Sequence, residues 1–143
     1  MTTPTYSDFV VNLAKHLATL GIGQWADNGK YVSTTPPPIF WGVIPGDTNV
    51  GYAIGLQVYH DDTTRDNYTR DIRVQILARG DRHPGSPAKI LDRIFTAMHD
   101  ESNWTLNNQQ SVLLSRQDTR PAASRDANKN WSQPANWVFT LNP

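Results

Sequence analysis

Two runs of period-two alternation constrain this chain more than any other feature. Tyr52, Ile54, Leu56 and Val58 alternate with Ala53, Gly55, Gln57 and Tyr59. Ile72, Val74, Ile76 and Ala78 alternate with Asp71, Arg73, Gln75, Leu77 and Arg79. Successive side chains of a strand point to opposite faces, so each run has one face for a core and one directed outward. The stretch between them, His60 to Asn67, is wholly polar. Together the runs predict a hairpin with an exposed, charge-dense tip.

A sheet face of this kind needs cover, and two helices are predicted to supply it. Phe9, Leu13, Leu17 and Leu20 recur at helical spacing between Thr5 and Leu20. Thr5 and Asp8 have the spacing of a capping box, and Gly21 and Gly23 end the helix. The second helix runs from Pro87 to about His99, with Ser86 as N-cap and Ile90, Ile94 and Met98 every four residues. His99 is expected to meet the terminal carbonyls. Val112 and Leu114, alternating with Leu113 and Ser115, predict a third strand. Asn136 to Leu141, with Trp137, Phe139 and Leu141 on one face, predict the last.

Between Gly23 and Asn49 the signal is weaker. Pro36, Pro37 and Pro38 are followed by Phe40, Trp41, Val43 and Ile44, then by the Pro45-Gly46-Asp47 turn. A short edge strand or a packed extended arm is expected there. The fold predicted is α+β, a two-layer sandwich: a four-stranded, mostly antiparallel sheet covered by two amphipathic helices. Residues 1–143 are expected to form one domain.

Composition narrows the function. The chain has 143 residues and no cysteine, which excludes disulfides, thiol nucleophiles and thiolate metal sites. The longest apolar runs are a few residues, so neither a transmembrane helix nor a secretory leader is expected. Lys+Arg 13 balance Asp+Glu 13, and a formal charge of zero argues against neutralising a run of phosphates. Glu101 is the only glutamate. Polar surface built from Asn, Asp and Thr favours strands, turns and caps over helix faces. Weak self-repulsion favours association.

No catalytic constellation stands out, so no enzymatic role and no cofactor or metal is expected. Gly21-Ile22-Gly23 follows a helix, whereas the dinucleotide fingerprint follows a strand. His60, Asp61 and Asp62 are the only hard ligands side by side, and solvated turn residues explain them. Nothing in the spacing forces Asp118, Asp126, Arg73 and Arg79 together. Of five tryptophans, Trp137 reads as core, while Trp25, Trp41, Trp104 and Trp131 lie in or beside loops. Each loop tryptophan is either packed locally or placed at an interface.

The order of elements and several short phrases resemble the tail terminator (tail completion, head–tail joining, minor capsid) proteins of long-tailed bacteriophages. The matching parts are the helix ending in Leu20-Gly21, the segment ending in Ile44-Pro45 and the strand around Tyr52 to Tyr59. A strand ending in Arg79-Gly80 leads into a helix, and an Asp126 loop precedes Asn136-Trp137-Val138-Phe139. The chain departs from the family at Ala127-Asn128-Lys129-Asn130, where a glycine-rich turn is common. The resemblance implies a structural assembly protein without catalytic residues. Such a protein forms a hexameric ring on the head-proximal end of the tail tube in the virion, assembled in the host bacterial cytoplasm. Its partners would be its own copies, the tail tube protein and a head connector or neck protein. DNA would pass through the lumen without specific binding, and no membrane is involved. The alternatives are another neck component (a head-closure or connector protein) or a small ligand- or carbohydrate-binding module using the loop tryptophans. Asp61, Asp62, Arg65, Asp66, Trp25 and Trp41 are the candidate interface residues.

Overall fold

The computed structural model describes residues 5–33, 35–45, 52–62 and 69–142. Helix α1 (Tyr6–Thr19) starts at a capping box: the Asp8 N–H donates to Thr5 Oγ1, and the Thr5 N–H donates back to Asp8 Oδ2. Gly21, at φ 75°, turns the chain after it. Phe9, Leu13 and Leu17 of the stripe are buried, whereas Leu20 lies beyond the last helical turn and is exposed.

Seven strands follow, where the sequence predicted four. They are β1 (Ile39–Trp41), β2 (Ala53–Asp62), β3 (Arg70–Arg79), β4 (Glu101–Leu106), β5 (Gln110–Thr119), β6 (Ser124–Arg125) and β7 (Trp131–Leu141). Helix α2 (Ser86–Met98) lies between β3 and β4. The sheet order is β1–β2–β3–β7–β5–β4, with β6 pairing β7. It is mixed, because β1 runs parallel to β2 and the other pairs are antiparallel. The four-stranded, mostly antiparallel sandwich is therefore corrected to a larger mixed sheet.

The added strands have identifiable causes. β4 reads Glu-Ser-Asn-Trp-Thr-Leu, with little apolar alternation, and Asn103 takes φ 54° within it. Pairing with β5, rather than local propensity, makes it a strand. β1 and β6 are three and two residues long, below the length at which alternation is visible. β7 begins five residues before the predicted start, because Pro134 falls inside it. Its ladder jumps from Asn136–Thr119 to Ser132–Ser124, so Pro134 sits where that side of β7 has no strand partner.

The core lies between the helices and one sheet face. Leu56, Ile76, Ala135 and Trp137 project to that face and share one buried cluster with Phe9, Leu13, Ile90 and Ile94. Phe9 meets Phe139 edge-on at 5.2 Å. Fully burying a side chain of this size contributes roughly 1.5–3 kcal/mol. In β5 a register shift between Val112 and Leu114 alters the predicted alternation. Leu114 becomes exposed and Ser115 buried, its hydroxyl donating to the Met98 carbonyl and accepting from Trp104 Nε1.

The β3–α2 junction is closely built. Ser86 is the first helical residue, and Gly85, not Ser86, is the N-cap. The Ser86 hydroxyl instead accepts from the Asp81 N–H at 2.8 Å and donates to the His83 carbonyl at 2.7 Å. A Cβ on Gly80 would lie 2.0 Å from that hydroxyl oxygen. Asp81 accepts from the His83 N–H and from the Tyr52 hydroxyl, which hold its carboxyl below the usual range. At the other end of α2, His99 does not cap carbonyls. Its Nδ1 accepts from the Gln117 N–H, its Nε2 lies 3.3 Å from Asp100, and its ring stacks on Phe95.

Candidate functional site

The face of the sheet away from the helices carries the outward residues of the two alternating runs. Strand register sets Gln57, Gln75, Asn136 and Thr119 in one row across β2, β3, β7 and β5. Asn136 Nδ2 donates to Thr119 Oγ1 at 2.9 Å, and Gln75 Nε2 reaches Asn136 Oδ1 at 3.5 Å. The middle of this face is thus an uncharged band of amide and hydroxyl groups. Charges flank it, with Arg73 3.5 Å from Asp118 and the Thr140 hydroxyl donating to Asp71.

At the β1 end of this face lies a cleft of about 290 Å³. Its floor is Gly55, Gln57, Gln75 and Leu77, and one wall is Gly42, Val43 and Ile44. Gly42, at φ 91°, turns the chain out of β1, and its N–H donates to the Leu56 carbonyl. The turn brings Ile44 down over Gly55. A Cβ on Gly55 would sit 3.0 Å from the Gly42 carbonyl oxygen and 3.1 Å from Ile44 Cγ1, so this close approach requires glycine.

Arg79, 5% exposed, fastens the far end of the wall by donating from Nη1 to the Pro45 carbonyl. Burial pushes its guanidinium below the usual value, and the Asp126 charge opposes that shift. Asp126 and Ser132 close the other side of the cleft. The Asp126 Oδ1 accepts from the Asn128 and Asn130 N–H groups, which fixes the β6–β7 turn. Lys129 takes φ 66° there, the conformation that a glycine-rich turn supplies without strain.

The cleft offers apolar contact with a rim of amides. Ser132 is its only hydroxyl among the described lining residues, and no histidine stands beside it. Among the described residues, no group of three or more His, Cys, Asp or Glu side chains is placed to hold a metal ion. No helix among them is long and apolar enough to cross a membrane.

The sequence-predicted site residues do not converge on the cleft. Asp61 lies within β2, not in a free tip, and forms a two-point ion pair with Arg70 at 2.6 and 2.8 Å. Their side chains are only 18% and 11% exposed. Asp62 follows it at the end of β2, opposite Asp71. Arg65 and Asp66 lie outside the described residues. Trp25 packs against the core, with its Nε1 donating to Asp27. Trp41 is exposed on the edge strand, its ring 6.3 Å from that of Tyr6. Gln57, Gln75, Leu77 and Arg79 were legible as outward positions of alternating strands. The wall at 42–45 and Asp126 were not, because only tertiary packing brings them to that row.

No protein-family model matches the chain, and no curated protein matches it at a significant level.

Proposed function

We propose that this protein is a structural assembly component, a tail terminator of a long-tailed bacteriophage acting as a ring of copies. The ring seats on the last ring of the tail tube and occupies its free edge. It presents no further tube-like surface, so polymerisation stops and the exposed side is left for the head connector. The reading starts from the family resemblance. The observation that carries it furthest is the helix-free sheet face, which combines an uncharged band with a fixed cleft and holds no catalytic grouping among the described residues. Two sheet edges, β1 and β4, suit contact between copies in a heterologous ring, where one patch of a subunit meets a different patch of the next.

Other neck components share small size and ring symmetry and remain the nearest alternative. A module that binds ligands on loop tryptophans has less support, since no described residue lining the cleft is a tryptophan and Trp25 and Trp104 pack against the core. Deletion of the gene from a phage that carries it tests the reading. Tails of uncontrolled length that fail to join heads are expected, and tails of normal length that still join heads would end it.

A further inference from the structure

We propose that the cleft on the helix-free face docks an uncharged, extended segment of a partner protein. One apolar side chain of that segment seats against Ile44 and Leu77, and its backbone hydrogen-bonds to Gln57 and Gln75. The inference deepens the assembly reading by giving the chemistry of one contact, and depends on it only for the partner's identity.

Three properties specify the occupant. First, the wall is built rather than incidental. A glycine at 55 is needed for Ile44 to descend, and the buried Arg79 donates to Pro45 at the wall's far end. Second, the cleft is electrically balanced. Its one cation is 5% exposed and engaged with the wall, while the facing carboxylate of Asp126 accepts two N–H groups of its own turn. A charged ligand would lose hydration and gain no free opposite charge. Third, the surface left to a visitor is apolar with an amide rim. Val43 at the lip is 82% exposed, and Gln57 is exposed beside it. Glutamine both donates and accepts, which matches the N–H and C=O of a peptide backbone. At about 290 Å³ the space suits one or two side chains rather than a bulky cofactor.

The test uses a capped peptide alternating threonine with leucine, and two analogues with aspartate or lysine in place of leucine. Fluorescently labelled peptides are titrated with the full chain and followed by anisotropy. The leucine peptide is expected to bind, and each charged analogue at least about tenfold more weakly. Val43→Asp and Gln57→Glu, both at exposed positions, should lower leucine-peptide affinity about tenfold. Val32→Asp, at a fully exposed position outside the cleft, should leave it unchanged. Matched thermal melts establish that the variants fold. Charged analogues that bind as tightly, cleft variants that bind like the parent, or no binding by any peptide would overturn the proposal. A protein that binds the peptide but forms no ring would retain this inference and defeat the assembly reading. Rings that ignore the peptide would do the reverse.

Discussion

Replacing Gly80 by alanine tests whether the β3–α2 junction is as tightly built as its geometry requires. Gly80 is buried, and its φ lies outside the left-handed region, so alanine brings no backbone strain of its own. The cost comes from contact. The new methyl would lie 2.0 Å from Ser86 Oγ, 2.7 Å from Ser86 Cβ and 2.8 Å from the Pro87 nitrogen. Moving the hydroxyl breaks its bonds to the Asp81 N–H and the His83 carbonyl, about 1 kcal/mol each. Displacing the start of α2 adds roughly 1–3 kcal/mol of overpacking. Restricting the unfolded chain returns about 0.4–1 kcal/mol. The net loss is therefore about 3 kcal/mol, or a fall in Tm of about 10 °C for a chain of this size. Urea unfolding should show a lower midpoint with an unchanged slope. In a Ser86→Gly background two of the three close contacts vanish, so the same substitution should cost only about 1 kcal/mol. A Gly80→Ala protein within about 0.5 kcal/mol of the parent would refute the reasoning.

Three further outcomes follow from single side chains. Gln110 is 4% exposed, and neither amide atom has a hydrogen-bond partner in the chain, so Gln110→Met should raise stability by about 1 kcal/mol in urea unfolding. Lys129→Gly, at φ 66°, should stabilise by about 1 kcal/mol, seen as a higher Tm. Burial lowers the His16 pKa, its ring lying 4.9 Å from that of Trp104. The unfolded chain then takes up that proton first as pH falls, so stability is full above the ordinary imidazole range and declines as pH drops through it. His16→Gln should flatten this decline between about pH 7 and pH 5, measured by urea midpoints. An equal or steeper decline in the variant would contradict the assignment.

The parts of the fold that were legible were those with local causes. The Thr5–Asp8 box, the Gly21 stop and the β2–β3 hairpin each follow from residues within a few positions of one another. The parts that were not legible depend on distant partners. β4 exists because β5 pairs with it, and the face reached by Leu114 is set by a bulge that alternation cannot reveal. The predicted hairpin tip shrank for a related reason. Arg70 reaches back to Asp61 and draws polar residues that read as a loop into the ladder. For the site, strand period placed Gln57 and Gln75 on one outward row. Only the positive φ at Gly42 and the Arg79 contact carry the wall to them.

The most direct measurement on the central claim is electron microscopy of the purified protein, alone and mixed with growing tail tubes. The account predicts closed rings that sit at one end of each tube and halt its elongation. A protein that remains monomeric and leaves tube growth unchanged would contradict it.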